Sequence, residues 1–481
     1  MSNYEHGIEV LENSTALTVP VTGNAGLQVV VGTAPVHLTG DVTDKVNTPL
    51  LCNTYEEAVA NLGYSDDFEK YTLCQSMYAS FRVFAIAPVI FINVLDPAKH
   101  RKENAEASYV VSQNQALVNM EGILLDTLVV SCDSKELEQG TDYVAEFNSE
   151  GYVVISLVEG GAGAGANSVN VKCFSVDPEA VTIDDIIGGY DALTGKNSGI
   201  ECVNNVYSKF SLTPGLLLAP GWSHVPEVAA ALDSKSMVNS VYRCENIVDI
   251  DTEKAKVYTK AKEVKDEAGA NGKHTMACWP MVKVGGKIIY YSALLGAMIA
   301  YTDAANDDVP NLSPSNKLVG INGLVLKDGT EVNLQQEQAN TLNSFGIITA
   351  INDSGWRSWG NNMACFPENT DVKDRWICCR RFFSWWGNSF IQTYKDKVDN
   401  PANKKLIETV VDSENIRGNS LVAQGKCAGA KMEFNADDNP TENLIAGKIK
   451  FKQYLAQYTP AESIKNELEF DVNMLTSAVN G

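Results

Sequence analysis

Phe84-Ala-Ile-Ala-Pro-Val-Ile-Phe-Ile-Asn-Val94 is the stretch on which the fold class turns. It has no charge on either of the two faces that a strand presents. A strand buried on both faces belongs to a sheet covered by helices on each side, as in α/β folds. The run falls short of the roughly 20 apolar residues that cross a bilayer, and Asn93 interrupts it. Upstream, residues 27–31 read as a strand ending at Gly32. Thr54-Tyr-Glu-Glu57 forms a capping box, with Thr54 at the N-cap and Glu57 at N3. The helix it opens stops at Gly63, and a second helix is expected over 72–81.

Downstream the pattern changes. Short alternating runs at 127–131, 143–147, 152–157 and 168–174 are separated by Gly140, 148–151 and 160–165. Regular short strands with turn signals predict a small β-sandwich or barrel. It is read as an insertion, because strands and helices alternate again over 195–360. Strands are expected at 215–219, 276–281 and 347–351, with an extended stretch at 240–249. Helices are expected from 225 to 232 and over 252–268, 290–301 and 335–344. The last block opens with an apolar helix over 372–394, then one over 401–413 with Asn400 as N-cap and Pro401 at N1.

Two more strands follow. Over 447–458, Ile449 and Phe451 alternate with Lys448, Lys450 and Lys452. Thr459-Pro460-Ala461-Glu462 breaks the pattern. Over 464–474, Leu468, Phe470, Val472 and Met474 then stand opposite Glu467, Glu469 and Asp471. At the other end Ile8 and Val10 alternate with polar neighbours before a breaker-rich segment. The expected organisation is an N-terminal arm (1–20), a core in two parts (21–97 and 195–360), an inserted β-rich domain (98–194), a C-terminal domain (361–458) and a C-terminal strand arm (459–481). The fold class is mixed α/β and α+β, multidomain.

Composition narrows the partners. Over 481 residues, 38 Lys+Arg against 60 Asp+Glu give a net charge of -22. Such a chain suits neither the phosphates of nucleic acid nor an anionic membrane surface. The N-terminus lacks the basic and apolar regions of a signal peptide, which predicts synthesis in the cytosol. Eleven cysteines at scattered spacing are read as free, mostly buried thiols.

Signatures of catalysis fail one by one. Gly161-Ala-Gly163-Ala-Gly-Ala166 fits the dinucleotide fingerprint in letters, but a strand pattern follows where a helix is needed, so a flexible turn is expected. Asn197 stands where a phosphate loop after Gly189 needs Ser or Thr. Gly221-Trp-Ser223-His-Val225 lacks the second Gly of a nucleophile elbow, and Ser223 reads as a helix N-cap. Five scattered histidines make no metal pair. Cys378 and Cys379 are adjacent on a helix and read as core. Asp249-Ile-Asp-Thr-Glu253 starts like a calcium loop, but Lys254 replaces its Gly. Five of the seven tryptophans lie between Trp356 and Trp386, among Arg357, Arg375, Arg380 and Arg381. Single-strand nucleic-acid stacking is one reading, and a buried helix with paired arginines is the preferred one. No catalytic, cofactor or metal residue is assigned and no enzyme is expected. A soluble α/β enzyme with an unrecognised active site remains the alternative. An adhesin-like surface protein would need a secretion signal.

A strand at a terminus that finds no internal partner is a template for another chain. With that feature the sequence resembles the tail sheath proteins of contractile-tailed bacteriophages and contractile injection systems. Asn311-Leu-Ser-Pro-Ser-Asn-Lys317, Thr341-Leu-Asn-Ser-Phe-Gly-Ile-Ile348, the Trp356–Gly360 turn, the helix bearing Arg380 and Arg381, and 447–469 with Pro460-Ala461-Glu462 carry the resemblance. The resemblance implies a structural subunit of a helical homopolymer of stacked rings around an inner tail tube protein. It also implies baseplate and tail terminator proteins as partners, assembly in the bacterial host cytoplasm, no cofactor and no catalysis. The inter-subunit strands would use Ile8, Val10, Ile449, Phe451, Leu468, Phe470, Val472 and Met474. Lys448, Lys450 and Lys452 would face Glu467, Glu469 and Asp471.

Overall fold

The computed structural model describes residues 24–40, 42 and 44–480. The N-terminal arm, with Ile8 and Val10, lies outside these residues. The main body is built on an eight-stranded sheet. Its spatial order is Leu50–Cys52, Val89–Asn93, Gln28–Gly32, Leu216–Leu218, Glu245–Asp249, Thr275–Cys278, Ile347–Asn352, Trp356–Trp359. The six inner strands pair in parallel, and the two outermost strands run antiparallel. Gln28–Gly32 and Val89–Asn93 are buried along their whole length, as the apolar run predicts. Helix Tyr291–Ala304 packs on this sheet and is buried on nearly every face. Gly296 makes the approach possible, because a Cβ there would sit 2.6 Å from Leu218 Cδ2.

The apolar run is a strand in its second half alone. Phe84 and Ile86 donate their backbone N–H groups to Ala79 and Ser80, so the chain is still unwinding from the preceding turn. That turn, Tyr78–Val83, is a π-helical continuation of helix Leu73–Met77. Other boundaries move for similar local reasons. The charged helix begins at Tyr258, because the carbonyl of Ala255 is taken by the indole of Trp279 at 2.9 Å. The strand expected over 276–281 is divided: Thr275–Cys278 stays in the main sheet, and Met281–Val284 enters a separate four-stranded sheet.

The β-rich block forms an antiparallel sheet of seven strands between Arg101 and Val176. Strands from opposite sides of its spatial order, Val129–Cys132 next to one end and Tyr143–Phe147 at the other, feed one apolar cluster, so the sheet curls over its own core. Val181 and Ile186 already belong to the main core, although the sequence pattern had placed them in the insertion. The two bodies meet where the His37 ring lies between Tyr71 and Phe147, with Lys70 paired to Glu121 at 2.9 Å.

The helix expected over 372–394 is two helices, Val372–Arg375 and Ile377–Tyr394. Trp376 between them is extended, because Arg375 O and the N–H of Ile377 bond to Met363 and Asn361. The longer helix carries Phe382, Trp385 and Trp386 into a buried cluster with Ala25 and Leu421. Its arginines are paired inside the protein, Arg380 with Asp374 and Arg381 with Asp303. Helix Lys404–Ala423 follows. Its N-cap is Asn403, whose side chain accepts from Leu406 N at 2.9 Å, while Asn400 bonds to the Asp396 carbonyl.

Two predictions come from this packing. Phe382→Ala should cost about 3–5 kcal/mol in denaturant unfolding, as deletion of a fully buried ring does. A loss under about 1 kcal/mol would remove this helix from the core. The second concerns Lys265, whose buried ammonium donates to the carbonyls of Phe345 and Ala364, each at 2.6 Å. Burial pushes this group down from 10.5 to about 8. Between those values the unfolded chain binds more protons at this residue than the folded chain, so its contribution to stability rises as pH climbs. The stability of the native sequence relative to Lys265→Met should therefore grow by roughly 3 kcal/mol from pH 7.5 to 10.5. A flat difference across that range would refute it.

Candidate inter-subunit edge

An enzyme of this fold class would work at the C-terminal ends of the parallel strands. A cavity of about 780 Å³ lies there, lined by Thr72, Trp222, His224, Lys287, Tyr290 and Lys327 among others. Its chemistry is tied up locally. Lys287 is paired with Asp66, and Lys327 with Glu253 at 3.1 Å. Ser223 is not a helix N-cap, a position Val225 takes. Its hydroxyl donates to buried Asp249 at 2.9 Å and accepts the Asp249 N–H at 3.0 Å. Ser292 Oγ donates to the same carboxylate at 2.5 Å. Burial pushes the Asp249 carboxyl up, and these donors act against that rise. His224 instead lies flat on Tyr290, with ring centroids 5.6 Å apart. Ser223 and His224 thus face different partners. Cys378 and Cys379 are buried and free, and no metal-binding cluster of His, Cys, Asp and Glu occurs among the described residues.

The residues singled out near the C-terminus lie elsewhere, around and beyond a two-stranded antiparallel sheet of Gly429–Glu433 and Lys452–Ala456. The sheet packs on helix Lys404–Ala423. Gly418 permits the close crossing, since a Cβ there would come within 2.8 Å of Ala430 Cβ. The strand expected over 447–458 is regular only from Lys452 to Ala456, but its alternation reaches further. Ile449, Phe451, Gln453 and Leu455 are half-buried, whereas Lys448, Lys450, Lys452 and Tyr454 are exposed. Phe451 packs with Tyr394, Val410 and Met432, and Leu455 with the Phe382–Trp386 cluster. Gln453 donates to buried Glu414 at 2.9 Å, and Glu414 also accepts from the Trp386 indole at 3.1 Å. On the exposed face Lys450 pairs with Asp438, and Lys452 lies over the Tyr454 ring.

One edge of this sheet is open. Met432 sends its backbone N–H and C=O away from the partner strand, to the side chain of Asn415 at 2.8 and 3.0 Å. Met432 and Gln453 are therefore a non-hydrogen-bonded pair, and the N–H and C=O of Gln453 point to the outer side. By the same alternation those of Phe451 and Leu455 point outward too. They meet no hydrogen-bond partner among the described residues.

The C-terminal arm leaves this edge. Residues 457–471 have no regular structure, and Glu462 is bound to Arg375 at 2.8 Å. Beyond it Ile464, Leu468 and Phe470 are 87%, 89% and 77% exposed. Glu467, Glu469 and Asp471 alternate with them and are exposed as well. The strand expected over 464–474 is not formed in the single chain: 464–471 is irregular. Val472 and Met474 lie in helix Val472–Asn480, which begins where Asp471 Oδ1 accepts from Asn473 N and Met474 N. Sequence reasoning missed this helix and both asparagine clamps on the sheet. Asp471 before Val472, Leu475 and Val479 at helical spacing was the available signal for the helix.

No family model matches the sequence. Over 496 residues the chain is 26% identical to the tail sheath protein of Burkholderia phage BcepMu, covering 100% of this chain and 99% of that one. The tail sheath protein of Escherichia phage P2 is 24% identical over 298 residues, which are 60% of this chain and 70% of the relative. The fold matches the contracted helical sheath of the anti-feeding prophage with a TM-score of 0.58, at 12% identity and with coverage of 98% and 100%. The resemblance read from the sequence thus holds along the whole chain.

Proposed function

We propose that this chain is a structural subunit of a contractile tail sheath, which polymerises around an inner tube and contracts to drive that tube through a target cell envelope. The observation that carries the reading is the whole-length match to a tail sheath protein. The open edge of 449–457 and the exposed arm 464–470 supply a physical means of linking copies. The arm of one copy would add as a strand to the open edge of another, filling its unpaired backbone groups. Apolar Leu468 and Phe470 then lie on the face of Phe451 and Leu455, and Glu467, Glu469 and Asp471 on the face of Lys448, Lys450 and Lys452. Opposite charges across strands add roughly 0.2–1 kcal/mol per pair.

The N-terminal arm, through Ile8 and Val10, has the same role in this reading. Ala25, just after that arm, packs in the same apolar cluster as Leu455, which supports its departure beside the closing strand. A helical polymer has head-to-tail contacts, so each donated strand needs an acceptor edge. The further partners are the inner tail tube, baseplate and tail terminator proteins, with assembly in the host cytoplasm and without cofactor, catalysis, nucleic acid or membrane.

Deleting residues 464–481 should leave a subunit with unchanged melting temperature that no longer forms tubes in electron micrographs. Tubes of normal length from that deletion would sink the strand-addition reading. The β-rich block is peripheral in the same reading. Replacing 101–176 with a short Gly-Ser linker should preserve assembly, and an unfolded remainder would refute that place for it.

A further inference from the structure

Two asparagines hold backbone groups of the C-terminal sheet as a neighbouring strand would. Asn415, on helix Lys404–Ala423, accepts the N–H of Met432 and donates to its C=O, at 2.8 and 3.0 Å. Asn439, itself buried, accepts the N–H of Lys450 at 2.7 Å and donates to its C=O at 2.8 Å. A carboxamide carries one acceptor and one donor side by side, so it can replace one residue of a strand ladder. The two act at opposite places. Asn415 occupies the outer edge of Gly429–Glu433, where a strand could otherwise add. Asn439 occupies the inner side of the closing strand, past Glu433, where its own partner strand has ended.

We propose that Asn415 and Asn439 make this sheet a one-way acceptor: Asn415 closes the wrong edge to strand addition, and Asn439 holds 449–451 extended so that the right edge is longer than its paired part. The incoming strand is the 464–470 arm of a second copy, so the inference rests on the strand-addition reading above. Lys450 and Lys452 pair internally only as far as Lys452 with Glu433. Without Asn439 the backbone N–H and C=O of Lys450 would have no internal partner, and the backbone of Phe451 would be free to swing out of line. Its ring packs with Phe434, Val410 and Tyr394, which fixes the side chain but leaves the backbone direction to the asparagine. An open edge at Met432 would expose a second pairing site on the same sheet. Side-by-side association through it would compete with tube growth.

Amide hydrogen exchange of the full chain, as subunit and as polymer, tests this. In the native subunit the Met432 and Lys450 amides should be protected, and those of Phe451, Gln453 and Leu455 should exchange freely. In the polymer the latter three should become protected. Asn415→Ala should keep the melting temperature, lose protection at Met432 and yield lateral aggregates in place of single tubes. Asn439→Ala should lose protection at Lys450, lower the yield of tubes and leave the Phe451 amide exchanging within them. Should either variant unfold, Asn415→Asp and Asn439→Asp keep the acceptor and lose the donor, and the same amides are read. Free exchange at Met432 and Lys450 in the native subunit overturns the inference, as do normal tubes from both variants. If native tubes leave Phe451, Gln453 and Leu455 unprotected, strand addition itself is wrong and the inference falls with it.

Discussion

The guanidinium of Arg381 is 3% exposed and is bonded to the carboxylate of Asp303, which is 1% exposed. Removing two such charges from water costs several kcal/mol per ion, so neither can be inside without the other. Arg381 also donates to the carbonyl of Ala25 at 2.9 Å. Three segments distant in sequence are thereby held at one point: the start of the main body, its central helix and the first turns of Ile377–Tyr394. One turn further on, Trp386 reaches Glu414, and Glu414 reaches Gln453 of the closing strand. A chain of buried polar contacts thus sets where the open edge lies relative to the main sheet. In the proposed strand addition this edge has to be presented at a fixed angle, and this helix is what fixes it.

Three of the sheets handle their edges differently. The main sheet ends in short antiparallel strands on both sides. The inserted sheet curls over one core, and its end strand Lys135–Glu136 is only two residues long and exposed. The C-terminal sheet has two strands, too few to be stable alone in water, and depends on its helix for support. One of its edges is closed by a side chain and the other is left open behind a row of lysines. Lysines on an open edge discourage pairing with an arbitrary apolar strand. They favour a strand that brings carboxylates to the same face, and the sequence carries that alternation in its own arm.

Much of this was legible in the sequence, because most of the elements obey their local pattern. Val89–Asn93 and Gln28–Gly32 read as doubly buried strands, Thr54 caps its helix through Glu57 N at 3.1 Å, and the lysine alternation over 448–452 marks the exposed face. Failures fall where hydrogen bonds that the apolar pattern does not show, local or distant, override it. Phe84 and Ile86 are apolar enough for a strand, yet their N–H groups are already used by a preceding turn. Trp376 sits in a good helical pattern and is pulled out by bonds at its neighbours to Asn361 and Met363. Val472 and Met474 fit both a period of two and a period of 3.6, and with no tertiary partner the Asp471 cap decides for helix. Asn415 and Asn439 could not be singled out, because a clamp on a backbone amide has no sequence pattern of its own.

The arm also has to stay off the edge of its own subunit. Seven residues separate Ala456 from Ile464, enough for a hairpin that would return 464–470 to the closing strand. Such a hairpin would satisfy the open edge from within and leave no place for the proposed strand addition. The connector is instead fastened to the body at two points: Gln457 donates to the carbonyl of Asn311 at 3.1 Å, and Glu462 binds Arg375. An exposed ion pair alone contributes little. Arg375, however, is stacked on Trp376 and Phe366, at 3.9 and 4.3 Å from their ring centroids, and its Nε donates to Asn362 at 3.0 Å. A guanidinium already held on several sides loses little freedom when it takes the carboxylate. Pro460 between the two points cannot donate to a ladder, which weakens a returning strand where it would start. The geometry that keeps Ile464, Leu468 and Phe470 exposed is therefore the geometry that the proposed strand addition requires.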